Sequence, residues 1–305
     1  HHAILGLDVT GTAASLDAQD PEPGYESFGG FGFSAESNFF GAWVPGALTL
    51  EYPPGIGRIV PAGSDVLLQM HYGPSPIEES DQTEINVFFS EEPIEREVET
   101  GIMGPQHLDE PFYLPANQLR TFQGSMQVAA DVSLLSVAPH CHLIGSSWEV
   151  FATSPSNQDT IPLISIPSWD FNWQGFFTFP TLTKIPSGYT LHGIASYDNT
   201  SSNPFNPNDP PQNVTFGEGT TDEMFFVFFD YVLYQEGDEL ISLAPSDEPT
   251  CASDVNDDGV ISVGDMLFLL SEFGCTSDCN ADIDLDDAVT ISDLLQLLST
   301  YGATC

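Results

Sequence analysis

Seven histidines occur in this chain, and five of them fall in three short motifs: HHAILGLD (1–8), LLQMHYGP (67–74) and APHCHLIG (138–145). Side chains alternate along a strand, so His140 and His142 point to one face and can hold one metal ion together. The other reading of the pair is a polar rim with no metal. His1 and His2 are adjacent, and neighbours on a regular strand face opposite ways. They reach one ion only where the backbone is irregular or the rings use different nitrogens; a terminal pair can also be left by tagging. His71 alone reads as a half-buried histidine, and His107 and His192 as structural. Met224 opens the apolar stretch MFFVFF. It is core filler on its own, but beside two imidazoles its thioether would suit copper cycling through Cu(I).

A second group of candidate ligands lies at the end of the chain. Asp254, Asn256, Asp258 and Asp265 recur 28 residues later as Asp282, Asp284, Asp286 and Asp293. Leu267, Leu269, Leu270, Phe273 and Gly274 recur as Leu295, Leu297, Leu298, Tyr301 and Gly302. Each unit is a 12-residue acidic loop leading into a short amphipathic helix that stops at Gly. Positions 1, 3, 5 and 12 of such a loop offer side-chain oxygens to Ca²⁺, and position 7, here Val260 or Ala288, offers a carbonyl. Loop one has Gly259 at position 6 and loop two has Asp287, which accepts positive φ less readily, so loop two should bind more weakly. The tail resembles a dockerin-like module, which implies one or two calcium ions and a cohesin-like or cell-surface partner. Val263-Gly264 and Ile291-Ser292 stand where cellulosomal dockerins carry Ser/Thr pairs. A disulfide- and calcium-stapled cap or surface anchor is the plainer reading.

Around these motifs the chain reads as mainly β. Its 26 Gly and 24 Pro punctuate short Val/Phe/Thr/Tyr runs, with strand candidates at 48–52, 64–72, 83–89, 126–137, 148–152, 189–197 and 224–234. That spacing suggests antiparallel sandwiches. The expected organisation is a β-sandwich over 1–103, lacking upstream strands, a second over 104–245, a linker at 246–250 and the helical tail over 251–305. Cys251, Cys275, Cys279 and Cys305 bracket the tail without zinc-type spacing and read as disulfide candidates in an oxidising compartment.

The net charge of −41, with 45 acids against 4 bases, excludes nucleic acid and anionic membranes as partners. No apolar run is long enough to span a membrane. So acidic a surface suits a secreted or cell-surface protein of a marine or salt-adapted bacterium, where salt screens self-repulsion. The chain begins at His1 rather than Met, which reads as processing, trimming or a fragment. Asn199 and Asn213 open weak glycosylation sequons.

Taken together, the histidine motifs, FGAWVPG (40–46), YPPGIG (52–57), LLSVAPHCHLIG (134–145), WDFNWQGFFTF (169–179) and TTDEM (220–224) resemble the copper type II, ascorbate-dependent monooxygenases. The bacterial secreted relatives of the peptidylglycine and dopamine hydroxylating enzymes are the nearest in pattern. The resemblance implies two jelly-roll-like sandwiches and two coppers. His1, His2 and His71 would hold an electron-storing copper; His140, His142 and Met224 would hold the one that binds dioxygen. It further implies hydroxylation of a C–H bond in a small or medium-sized organic substrate, with O₂ and ascorbate or another one-electron donor. Peptide-amidating members carry Arg where this chain has Ala138 and Asn where it has Phe226, so peptidylglycine is not the expected substrate. Two rival readings are a histidine-brace copper oxygenase built on His1 and a non-catalytic, calcium-stabilised surface protein.

Overall fold

The computed structural model describes residues 2–304 apart from 22, 28–29, 34–38, 45–46, 48–50, 73–75, 91, 245–250, 257, 278, 285 and the side chain of 251. His1, Cys305, the side chain of Cys251 and the linker at 246–250 lie outside the described residues. Strands hold 36% of the described residues and helices 12%, so the chain is mainly β with a small helical C-terminal part. It divides into two compact units, His1–Leu243 and Ala244–Cys305.

In chain order the first unit runs through β1 (His2–Asp8), α1 (Thr12–Asp17), β2 (Phe39–Trp43), β3 (Ile56–Gly57), β4 (Asp65–His71), β5 (Arg96–Glu97) and β6 (Glu99–Met103). It continues through β7 (Tyr113–Leu114), β8 (Gln118–Gln127), β9 (Val132–His140), β10 (Gly145–Thr153) and β11 (Thr160–Ile166). β12 (Phe177–Ile185), β13 (Thr190–Asn199), β14 (Val214–Thr215) and β15 (Phe226–Leu233) complete it. Two four-stranded antiparallel sheets, ordered β11-β10-β13-β8 and β12-β9-β15-β6, share one apolar core. Trp148, Val150 and Tyr197 of the first meet Val137, Val227 and Phe229 of the second, with Phe225 beside them. A three-stranded antiparallel sheet, β2-β1-β4, carries His2 and His71. β6 ends at 103, where the sequence suggested a domain boundary, and it pairs with β15 as an edge of the second sheet.

β9 is buried along nearly its whole length, as its run VSLLSVAP requires of a strand covered on both faces. Its outer face meets Tyr52, Ile56 and Val98. Ile56 and Val98 pack there with Leu135, Leu182 and Val232. Two ion pairs lock the same layer: Arg58 to Asp230 at 2.7 Å and Arg96 to Asp238 at 2.7 Å. Arg120 and Lys184 pair with Glu110 and Asp131, so each of the four cations of this acidic chain has a carboxylate partner.

Several strand expectations need correction. Residues 83–89 join no ladder, and Phe88 and Phe89 stand 86% and 77% exposed. The 126–137 candidate spans two strands, β8 and β9, with a break between them. β11 and β12 were not foreseen. Asn199 is fully buried; its amide donates to the carbonyls of Leu114, Pro115 and Gln212, which leaves no room for a glycan.

The second unit contains α2 (Val263–Ser271) and α3 (Ile291–Ser299), capped alike by Ser262 with Asp265 and Thr290 with Asp293. The duplication is exchanged in space. Ile261 bonds to Gly302 and Ala303 after α3, while Val289 bonds to Gly274 and Cys275 after α2. Ile261, Leu269, Ala281, Ile283, Val289 and Leu297 form the core of this unit. Cys275 and Cys279 form a disulfide.

Candidate functional site

His2 and His71 are positioned by strand register. β1 and β4 pair antiparallel with His2 directly opposite His71, and their rings meet edge-to-face with centroids 4.7 Å apart. Burial, then the neighbouring His71 and His142, lowers the His2 pKa to about 4.

His140 is the last residue of β9, opposite Phe226, the first of β15. Continuing that antiparallel register by two residues sets Met224 opposite His142. Directly opposed residues share a face, and so do residues two apart. His140, Phe226 and Phe228 therefore belong to the outer face of the sheet, away from the sandwich core, and the extrapolated register carries His142 and Met224 toward the same side. The four phenylalanines of MFFVFF divide by the same alternation. Phe225 and Phe229 are in the core, whereas Phe226 and Phe228 form an aromatic wall with Phe39, Phe176 and Phe216. Cys141, between the two histidines, points inward: it is fully buried and accepts from the Trp148 indole N–H at 3.1 Å. A side chain at 145 would collide with the Cys141 thiol, so the turn that returns the chain to β10 requires Gly145.

Both imidazoles have their tautomers set. Gln174 Nε2 donates to the Phe171 carbonyl at 2.7 Å, which turns Gln174 Oε1 toward His140 Nδ1 at 2.6 Å. The Nδ1 of His140 must then carry the proton. His142 Nδ1 lies 3.1 Å from the carbonyl of Asp222, which can only accept. In both rings Nε2 is left as the lone-pair nitrogen, and the ring centroids are 5.3 Å apart. Burial, with His142 adding to it, lowers the His140 pKa to about 3; burial also lowers that of His142. Neutral, oriented imidazoles are what a metal ligand needs.

The residues around these ligands carry no signal that spacing alone would reveal. Glu223 is 1% exposed, and its carboxylate accepts N–H bonds from His142, Ile144 and Met224. Burial pushes its pKa up to about 7 against those bonds. Trp169 donates its indole N–H to the His142 carbonyl at 3.2 Å, and Tyr197 its hydroxyl to the Met224 carbonyl at 2.7 Å. Asp170 caps its own turn through Asn172. His107 and His192 stay structural: His107 Nδ1 accepts from Gly104 N–H, and His192 stacks on Phe151 while bonding Thr153.

In the tail, carboxylate oxygens of Asp254, Asp258 and Asp265 lie within 4.8 Å of one another, as do those of Asp282, Asp284 and Asp293. Asp287 sits at φ 67° where its counterpart Gly259 sits at φ 84°. Val263, Leu267, Leu270 and Phe273 form an exposed stripe that recurs as Ile291, Leu295, Leu298 and Tyr301. No described helix is long and apolar enough to cross a membrane.

Compared with known proteins, the chain matches no family model and no curated protein sequence.

Proposed function

We propose that the first unit is a secreted dicopper monooxygenase that hydroxylates a C–H bond of an organic substrate with O₂ and ascorbate or another one-electron donor. The observation that carries this reading is the adjacent His140 and His142 rings, both held as Nδ1–H tautomers at the end of the β9–β15 ladder that leads toward Met224. Two imidazoles and a thioether fit a soft to borderline ion that must accept Cu(I), and His2 with His71 offers a nitrogen-only companion site, to which His1 would add a third ring. Copper, when bound, would supply the O₂ activation that no side chain provides. The protein's part is to orient and to keep dry. Gln174 and the Asp222 carbonyl aim Nε2 of each ring, and Phe226 and Phe228 line the ligand face with apolar surface that excludes water.

Metal content and turnover test this directly. Purified, dialysed protein should retain about two coppers per chain, as three ligands in each of two sites would require. Met224→Leu should keep most of that metal and lose reductant-dependent O₂ consumption. Two coppers with no reductant-dependent O₂ use by the unaltered protein, over a broad substrate panel, would end the catalytic reading. Protein that loses all copper on dialysis would favour the non-catalytic surface reading. One added residue ahead of His1 would abolish a histidine brace and spare the sites described here.

For the tail we propose a calcium-stabilised docking module for a cell-surface or cohesin-like partner. The repeated acidic loops and the repeated exposed apolar stripe support it. The Cys275–Cys279 disulfide and the acidic composition fit a protein exported to a salt-rich medium.

A further inference from the structure

We infer that Glu223 is the positioning residue of the His140–His142–Met224 site, its single carboxylate setting the spacing between the two chain segments that carry the ligands. The inference rests on the monooxygenase reading above.

The β9–β15 ladder ends at His140 and Phe226, one step short of the remaining two ligands. Past a ladder's end, backbone groups need other partners, and a buried N–H without one is costly. Here one oxygen of Glu223, Oε2, accepts from His142 N–H at 2.7 Å and from Met224 N–H at 3.2 Å. The other, Oε1, accepts from Ile144 N–H at 2.8 Å, which closes the turn after His142. The carboxylate thus bridges the two segments where the ladder no longer does. The carbonyls of the same two residues are held from the far side by Trp169 and Tyr197. Both ligand residues therefore have their N–H and C=O tied by buried side chains.

The chemistry of the anchor is selective. An ionised carboxylate only accepts, and its two oxygens have room for three or more N–H donors. An amide of the same shape offers one accepting oxygen and turns an NH₂ group against a backbone N–H. A glutamate serving only as a loop cap would affect folding stability and leave metal ligation alone. A positioning glutamate must also change whether the sulfur of Met224 reaches the ion held by the two rings.

The test compares unaltered protein, Glu223→Gln and Tyr197→Phe, each loaded with Cu(I), by X-ray absorption and by competitive Cu(I) titration. Apoprotein unfolding temperatures are measured in parallel. The unaltered protein should show one sulfur ligand for every two coppers. Glu223→Gln should keep the nitrogen-only copper, lose the copper–sulfur signal and bind the second copper about 10- to 100-fold more weakly. Tyr197→Phe, which frees only the Met224 carbonyl, should show the same changes at smaller amplitude. An unchanged sulfur signal and affinity in Glu223→Gln overturns the inference while leaving the dicopper reading intact. Should Glu223→Gln not fold, an unchanged signal in Tyr197→Phe overturns it instead. Absence of any sulfur ligand in the unaltered protein would defeat the dicopper reading and this inference with it.

Discussion

His2 and His71 stand opposite each other across the β1–β4 ladder, their ring planes at 75° and their centroids 4.7 Å apart. Neither residue is near the other in the chain; the register of one antiparallel pair joins them. The same pair lies within electrostatic reach of the second histidine pair, since His2 is felt at His140 and His71 at His142. Four imidazoles thus share one region of the first unit, and the neighbouring rings add to the burial that lowers the pKa of His2, His140 and His142.

That crowding predicts a pH response. Burial is the first cause that holds His2 at about 4 and His140 at about 3, below the ordinary 6.5. Between those values the unfolded chain binds more protons than the folded one, so stability rises with pH. The contribution is present above about pH 6.5 and is lost as the pH falls through the folded values. Ring-proton NMR of the apoprotein should find the His2 and His140 rings neutral at about pH 5. A ring that titrates near 6.5 would refute this.

Gln174 has its own signature. Gln174→Leu removes the acceptor that fixes His140 Nδ1–H and leaves the ring free to change tautomer. Copper affinity at the second site should fall about 10- to 100-fold, with the His2–His71 site unaffected. Equal affinity in the variant and the parent would show that the ring is oriented by packing alone.

The Arg58–Asp230 pair fastens residues 52–58 to β15, the strand that Met224 leads into. Arg58→Met strands the buried Asp230 carboxylate and should cost about 3–5 kcal/mol, whereas the double variant with Asp230→Leu should recover most of that loss. Urea unfolding of the first unit measures both, and the tail's own transition serves as an internal control.

In the tail, Asp287→Gly relieves a non-glycine residue from left-handed backbone. It should stabilise the second unit by about 1 kcal/mol and tighten calcium binding in loop two. Gly259→Ala in loop one should do the opposite. Calorimetry with and without calcium reads both changes.

The sequence misled where context overrules local pattern. Residues 83–89 carry strand-forming types yet join no strand ladder among the described residues, because β-propensity reports fit to a neighbouring strand more than an intrinsic backbone preference. The 126–137 run crosses a turn because apolar residues continue through it, with Val128 and Val132 buried on either side.

By itself the sequence determined the mainly β character, the duplicated acidic loops with their capped helices, and the residue types able to hold a metal. These follow from short-range chemistry: side-chain alternation, capping and repeat spacing. Only the tertiary structure decided that His71 faces His2, that His140 pairs with Phe226, and that Gln174, Tyr197, Trp169 and Glu223 hold the segments carrying His140, His142 and Met224. Those relations join residues distant in the chain. They depend on strand register and on which face of a sheet is covered, and a register is set by the packing of whole strands rather than by any one motif.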